Sequence, residues 1–486
     1  MHLDEDKITL LVEKVVERLV SPNASRTSPT SAPPTNTSRP QSYRMRVQSS
    51  DAGIFATVEE AIAAAKKAQS DLRECSLKTR DAMIEAMRQI SREYIQDLAT
   101  MAVEETGLGR VDHKLVKNKL VIEKTPGTEI LRPQAYSGDN GLMLTERAPY
   151  GVIAAITPCT NATETILCNA IGMIAGGNTV VFNVHPSAKR VSAFYIGLLN
   201  EAMRAAGAPE NCITACAEPT IASANTVMKH PDTRLVVVTG GPAVVQAAMN
   251  SGKRAIGAGP GNPPVVVDET ADLKRAAESI INGAGLDCNI VCIAEKEIIA
   301  VADIADLLKR EMKRLGAIEV TGRDIRKLEQ LILTSDGGVN RHFIGKRPAH
   351  ILREIGISCD EDTVIAFCEV ADEQHPFVQH ELLMPVIPML RVTNVDDAIA
   401  MAKRVEHGFR HTACMHSHNI ASLHKMARVM DCSIFVKNAP SSAGLGFGGE
   451  GYTSFTIASP TGEGLTTAVH FTRERRCTLK EYFRIV

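Results

Sequence analysis

Apolar residues recur along this chain in two rhythms, one of helical and one of strand period, and their alternation predicts most of the elements. Ile8, Leu11, Val12, Val15, Val16 and Leu19 fall on one face at helical spacing, with Glu13, Lys14, Glu17 and Arg18 opposite, which predicts an amphipathic helix over residues 1–20. The segment 21–42 holds six Ser, four Thr and five Pro and predicts an extended linker that cannot supply a packed core. From Thr57 to Gly107 the pattern is helical, over Glu59–Ala68 and again over Asp81–Met101. After Gly151 short apolar strands alternate with helices: Val152–Ile156, Val180–Phe182, Cys212–Ala215, Leu235–Val238 and Val265–Val267. That alternation predicts a parallel sheet covered by helices. The rhythm resumes at Glu297–Ala300, Val364–Phe367 and Pro388–Val392, predicting a second α/β unit.

Length and charge narrow the picture. With 486 residues, two or three packed units are expected. A net charge of -2 and no long single-sign run make nucleic acid an unexpected partner. The 12 cysteines have no repeating spacing and read as reduced cytosolic thiols. No apolar run is long enough to span a membrane, and the acidic start, Met1 to Asp6, is unlike a secretory signal, so a cytoplasmic protein is expected.

Candidate chemistry centres on Cys292, in Asn282-Gly-Ala-Gly-Leu-Asp-Cys-Asn-Ile-Val-Cys292, downstream of a glycine-rich turn at Gly257-Ala-Gly-Pro-Gly-Asn262. Such a thiol can present its sulfur and its own N–H to a carbonyl carbon and the oxyanion that forms there, although an isolated cysteine is more often an inert core residue. Thr239-Gly240-Gly241 ends a strand and opens a helix predicted from Pro242 to Met249, a junction that suits a pyrophosphate. No Rossmann glycine fingerprint is present; Gly257 to Gly261 has the wrong spacing for one. His407, His411, His416 and His418 are close in sequence, but a zinc site needs three or four converging ligands, and no metal is assigned. His375 and His380 read as surface residues or residues behind the site.

These segments, with Gly151-Val-Ile-Ala-Ala-Ile-Thr157-Pro-Cys-Thr-Asn161, His380-Glu381-Leu-Leu-Met-Pro385, Glu406-His-Gly-Phe-Arg-His-Thr-Ala413, Phe435-Val-Lys-Asn438 and Thr461-Gly-Glu-Gly464, resemble the aldehyde dehydrogenase superfamily. The nearest likeness is to its CoA-acylating branch, the propionaldehyde and acetaldehyde dehydrogenases of bacterial microcompartments. It extends from about Gly53 to Val486.

The resemblance implies an α/β aldehyde dehydrogenase fold. An encapsulation helix (1–20) and a linker (21–42) would precede a Rossmann-like NAD-binding domain over 43–264, with a bridging hairpin near 132–150. A catalytic domain over 265–455 and a β oligomerisation flap over 456–486 would follow. It implies Cys292 as nucleophile and the Asn161 amide, with the Cys292 N–H, as oxyanion donors. The family's Pro-Trp-Asn is one residue longer here, Pro158-Cys-Thr-Asn161, which leaves Thr160 as an alternative occupant. Thr157, Pro158, Asn183, His185, Thr239, Gly240, Gly241 and Gly259 would line the NAD site, and Glu381 would hold the nicotinamide ribose. Asn183 stands where relatives carry a lysine, and Pro186 and Ser187 replace the usual acid, so NAD over NADP is inherited from the family alone. Hydrolytic relatives carry a glutamate base on the glycine-rich turn; here that position falls at or beside Ala258, which points to coenzyme A as the acyl acceptor. Cys288 is the rival nucleophile and reads as a packed neighbour.

Propionaldehyde is the favoured substrate, on Thr163-Glu-Thr-Ile166, Gly240-Gly-Pro242, Ser251-Gly-Lys253 and Ile281-Asn-Gly-Ala284. Acetaldehyde is the close alternative, and a mainly structural cargo or assembly component is the alternative of a different class. Expected partners are microcompartment shell or core proteins through the N-terminal helix, within a homodimer or homotetramer in the microcompartment lumen, with neither nucleic acid nor membrane.

Overall fold

A computed structural model describes residues 53–485. The helix expected over 1–20 and the linker expected over 21–42 lie outside the described residues. In chain order the strands begin with β1 (Ile54–Phe55), the hairpin β2 (Gln134–Gly138) and β3 (Gly141–Pro149), and β4 (Val152–Ile156). They continue with β5 (Thr179–Asn183), β6 (Ile213–Cys216), β7 (Thr233–Thr239) and β8 (Arg254–Ala258). A six-stranded sheet has the order β1-β6-β5-β4-β7-β8, every pair parallel. Its strands are Val- and Ala-rich and buried on both faces, because helices cover each side. Ala61, Ile62 and Ala65 of the helix Val58–Leu72 share one core with Ala154, Val236 and Val238. That helix starts at a capping box, Thr57 with Glu60.

Strands β9 (Pro264–Val267), β10 (Glu297–Val301), β11 (Ile318–Glu319), β12 (Ala366–Glu369), β13 (Val386–Val392), β14 (Thr412–His416) and β15 (Ile434–Lys437) build the second sheet. Its order is β11-β12-β13-β10-β9-β14-β15, again all parallel. A two-stranded pair, β16 (Ile457–Ala458) and β17 (Gly464–Leu465), precedes β18 (Thr472–Lys480), which runs antiparallel along the whole of β3. The two parallel α/β sheets expected from the chain are therefore present. No described helix is long and apolar enough to cross a membrane.

Two expectations need correction. The helical pattern over Asp81–Met101 is two helices, Leu77–Glu93 and Ile95–Thr106, joined at Tyr94 (φ -103, ψ 11), whose ring meets Phe194 edge-on at 6.0 Å. Apolar spacing runs on across the joint, so the break leaves no trace in periodicity. The glycine-rich turn does not begin at Gly257: Gly257 and Ala258 complete β8, paired with Val238 and Thr239. Glycine is needed at 257 because a Cβ there would lie 2.9 Å from Val245 Cγ1 of the covering helix.

Candidate active site

The C-terminal ends of the first sheet's strands form one wall. From β4 the chain proceeds outward to β5 and β6 on one side and to β7 and β8 on the other, so the strand order switches between β4 and β7. In parallel α/β sheets a ligand crevice opens at such a switch. Thr157 follows β4, and its buried Oγ1 has no hydrogen-bond partner among the described residues. Thr239 ends β7, and Gly241 caps the helix Pro242–Met249, where an added Cβ would meet nothing within 4 Å. These small residues, the orphaned hydroxyl and the helix N-terminus fit a dinucleotide pyrophosphate. Asn183 ends β5, but its Oδ1 already accepts from Ser223 Oγ at 2.5 Å. His185 is exposed and accepts from Ser187 N, while Gly259 packs against Pro460. Pro158 follows Thr157 at the same edge.

The N-terminal edge of the second sheet forms the facing wall. Cys292 lies five residues before β10, Asn262 just before β9, His411 just before β14 and Glu381 before β13. Asn262 Nδ2 donates to Val378 O and Val405 O, both at 2.9 Å, and so anchors the loop that crosses the thiol. In that loop Gly261 is forced: a Cβ there would stand 2.6 Å from the Cys292 carbonyl oxygen and 3.0 Å from His411 Cγ. Gly261 N donates to Glu381 Oε1 at 3.4 Å, which brings this carboxylate to the cysteine. Burial and then the Glu381 charge push the Cys292 thiol up to about 12, while Lys296, the cysteine's own N–H and Lys117 pull the other way.

The aldehyde dehydrogenase family model matches residues 32–326. The chain belongs to the aldehyde dehydrogenase family. It is 48% identical over 456 residues to the acetylating acetaldehyde dehydrogenase of Escherichia coli, covering 91% of this chain and 97% of that one. It is 46% identical over 440 residues to the CoA-propanoylating propanal dehydrogenase of Salmonella typhimurium, covering 90% and 94%. A solved structure, the Rhodopseudomonas palustris propionaldehyde dehydrogenase with bound CoA and an acylated cysteine, superposes with a TM-score of 0.88 at 50% identity, covering 90% of this chain and all of that one.

Within this aldehyde dehydrogenase, a buried set of charges that sequence reasoning passed over lies against Asn161, and Lys117 of that set also bears on Cys292. Lys117 Nζ is 2.6 Å from Asn161 Oδ1, 2.6 Å from Asp287 Oδ2 and 3.0 Å from Glu164 Oε1. Lys114, one turn earlier on the same helix (Val111–Lys124), reaches Asp287 Oδ2 at 2.9 Å and Thr160 O at 3.0 Å. Asp287, Cys288 and Asn289 all have positive φ (50, 55 and 65), a left-handed turn that costs on the order of 1–2 kcal/mol per residue. Polar anchors hold it: Arg110 N donates to Asp287 Oδ1 at 2.8 Å, and Lys296 Nζ donates to Asn289 O and Oδ1 at 2.7 and 2.6 Å. The backbone before Cys292 is thus tightly tethered. Cys288 is buried in this left-handed turn, its thiol pushed up to about 12 by burial and by Asp287.

His411 was passed over too, having been weighed only as a metal ligand. Burial and the Lys296 charge lower it to about 4, so it is neutral at neutral pH. Its Nδ1 pairs with Thr412 Oγ1 at 2.9 Å, while Nε2 is buried with no partner among the described residues. No group of three or more potential metal ligands occurs among the described residues. Besides its closeness to other histidines, the mark of His411 in the sequence is its place in Glu406-His-Gly-Phe-Arg-His411, a segment noted for resemblance.

Proposed function

We propose that this chain oxidises a short aliphatic aldehyde to its acyl-CoA with reduction of NAD, through a thioester on Cys292. Once its proton has passed to solvent, the Cys292 sulfur bonds to the aldehyde carbon as the carbonyl π bond opens, and the oxyanion that results takes hydrogen bonds from the Cys292 N–H and Asn161 Nδ2. NAD, when bound in the crevice between β4 and β7, supplies the hydride acceptor that leaves a thioester on the sulfur. Glu381 would orient the nicotinamide ribose. In the second half, the CoA sulfur attacks the thioester carbonyl, the bond to Cys292 breaks and acyl-CoA departs. His411 Nε2, neutral and unpaired, would take the CoA thiol proton.

The observation that carries this reading is the pairing of a half-buried thiol with a turn, Gly259 to Asn262, that contains no carboxylate. CoA, a thiol, needs less activation than water. The R. palustris relative, with its bound CoA and acylated cysteine, supports the same chemistry. One observation favours a hydrolytic reading, namely that Glu381 reaches the turn from the far side and bears on Cys292. NADH formation separates the two: with aldehyde and NAD but no CoA, a burst of about one NADH per site and little free acid is expected, and adding CoA should restore steady turnover. Sustained acid release without CoA would establish hydrolysis.

Propionaldehyde is the substrate we favour, on the segments around Thr163, Gly240, Ser251 and Ile281. Identities of 48% and 46% to the acetaldehyde and propanal enzymes do not separate the two. One methylene shifts pocket binding by only about 1 kcal/mol or a little more, so overlap is expected, and the ratio of kcat/KM for the two aldehydes decides the preference. The setting we propose is a bacterial microcompartment lumen, supported by a 48%-identical propionaldehyde dehydrogenase of the Clostridium phytofermentans fucose utilisation microcompartment. Residues 1–20 would bind a shell or core protein there.

A further inference from the structure

Lys117 is wholly buried, on a helix that belongs to neither wall of the site, and nothing in the proposed reaction uses it. Its ammonium donates to Asn161 Oδ1 at 2.6 Å and forms ion pairs with Asp287 Oδ2 at 2.6 Å and Glu164 Oε1 at 3.0 Å. Taking an ammonium out of water is costly, and an apolar side chain of similar volume would fill the same space without that cost. What an apolar residue could not do is choose between the two orientations of the Asn161 amide. Turned over, the amide would set its NH2 against the ammonium, donor against donor. In the orientation found, Oδ1 faces Lys117, and Nδ2 is held on the other side, 3.3 Å from Thr160 Oγ1. A positive charge on the carbonyl oxygen also draws electron density from the amide and makes Nδ2–H a stronger donor.

We propose that Lys117 is a positioning residue: it fixes the flip of the Asn161 amide and polarises it, so that Nδ2–H meets the oxyanion on the Cys292 adduct. The inference rests on the reading of Asn161 as an oxyanion donor. Lys114 supports the same arrangement from one turn away by holding Thr160 O and Asp287. One helix face therefore clips the loop after β4 to the turn that leads to Cys292.

The test is a double-mutant cycle on the full chain, in a Glu164→Gln background so that Lys117→Met leaves Lys114 balanced by Asp287. Thermal unfolding checks that the four proteins fold alike, and the readout is the rate of the NADH burst with saturating aldehyde and NAD. Removing one oxyanion donor costs about a hundredfold or more, so N161A should slow the burst by that order. K117M should slow it by about tenfold or more while leaving KM for NAD unchanged, and in the N161A background it should add less than about twofold. If K117M slows the burst equally with and without Asn161, its role is structural and the proposal is overturned. If N161A itself leaves the burst unchanged, Asn161 is not the donor, and the proposal falls with that reading.

Discussion

Cys292 rests as a protonated thiol, because burial and the neighbouring Glu381 charge outweigh Lys296, the local N–H and Lys117. A thiol at about 12 is ionised to roughly one part in ten thousand at pH 8, so alkylation by iodoacetamide should rise about tenfold per pH unit from 7 to 10. Glu381→Gln removes a charge that raises the thiol and should speed alkylation at every pH in that range. A plateau near pH 8 in the unmodified enzyme, or slower alkylation of the Gln variant, would refute this account. His411 allows a second prediction at this scale. Since it would act only when CoA attacks, His411→Ala should keep the NADH burst while CoA-dependent turnover falls by about a hundredfold or more. Loss of the burst itself would place His411 in the first half of the reaction.

The element that decides the site is the left-handed turn at residues 287–289, clamped by the helix Val111–Lys124. Asp287 is its pivot. Burial alone would raise its carboxyl, but Lys117 and Lys114 outweigh burial and bring it down to about 2 from 3.8. A group depressed on folding stabilises above its unfolded value, and that contribution is lost as pH falls through the folded value. Asp287 should thus supply roughly 2 kcal/mol at neutral pH, lost between about pH 4 and pH 2. Asp287→Ala leaves two buried ammonium groups undercompensated and should cost about 3–5 kcal/mol, measured as a lower urea midpoint at pH 7, with the gap to the unmodified enzyme narrowing by roughly 2 kcal/mol as pH falls toward 2. Equal midpoints at pH 7 would show that the lysines find other partners.

At the scale of the whole molecule, the first sheet offers its C-terminal strand ends and the second its N-terminal ends, and the reacting groups occupy the two edges. Residues 1–42 contain none of these groups. Deleting them should leave specific activity within about twofold in solution while packaging into microcompartments fails, because an amphipathic helix docks through its apolar anchors. Charged replacements at Leu11, Val15 and Leu19 should mimic the deletion, and replacements at Glu13 or Glu17 should do less. Recovery of the truncated enzyme inside purified shells would show that the address lies elsewhere.

The sequence alone determined what depends on near neighbours along the chain. The strand Val152–Ile156 and the helix Pro242–Met249 were legible to the residue, because apolar period and junction glycines are local signals. The roles proposed for Cys292, Asn161 and Glu381 rest on motifs. The continuation of β8 through Ala258 was not, since only pairing with β7 makes a strand of that glycine-rich segment. Nor could a sequence show that Lys117, on a helix rich in charge, is buried beneath Asn161, or that Asp287, far along the chain, neutralises it. Charge on a helix ordinarily means solvent. Only folding brings ions so distant in sequence together, and their mutual compensation is what lets them lie inside.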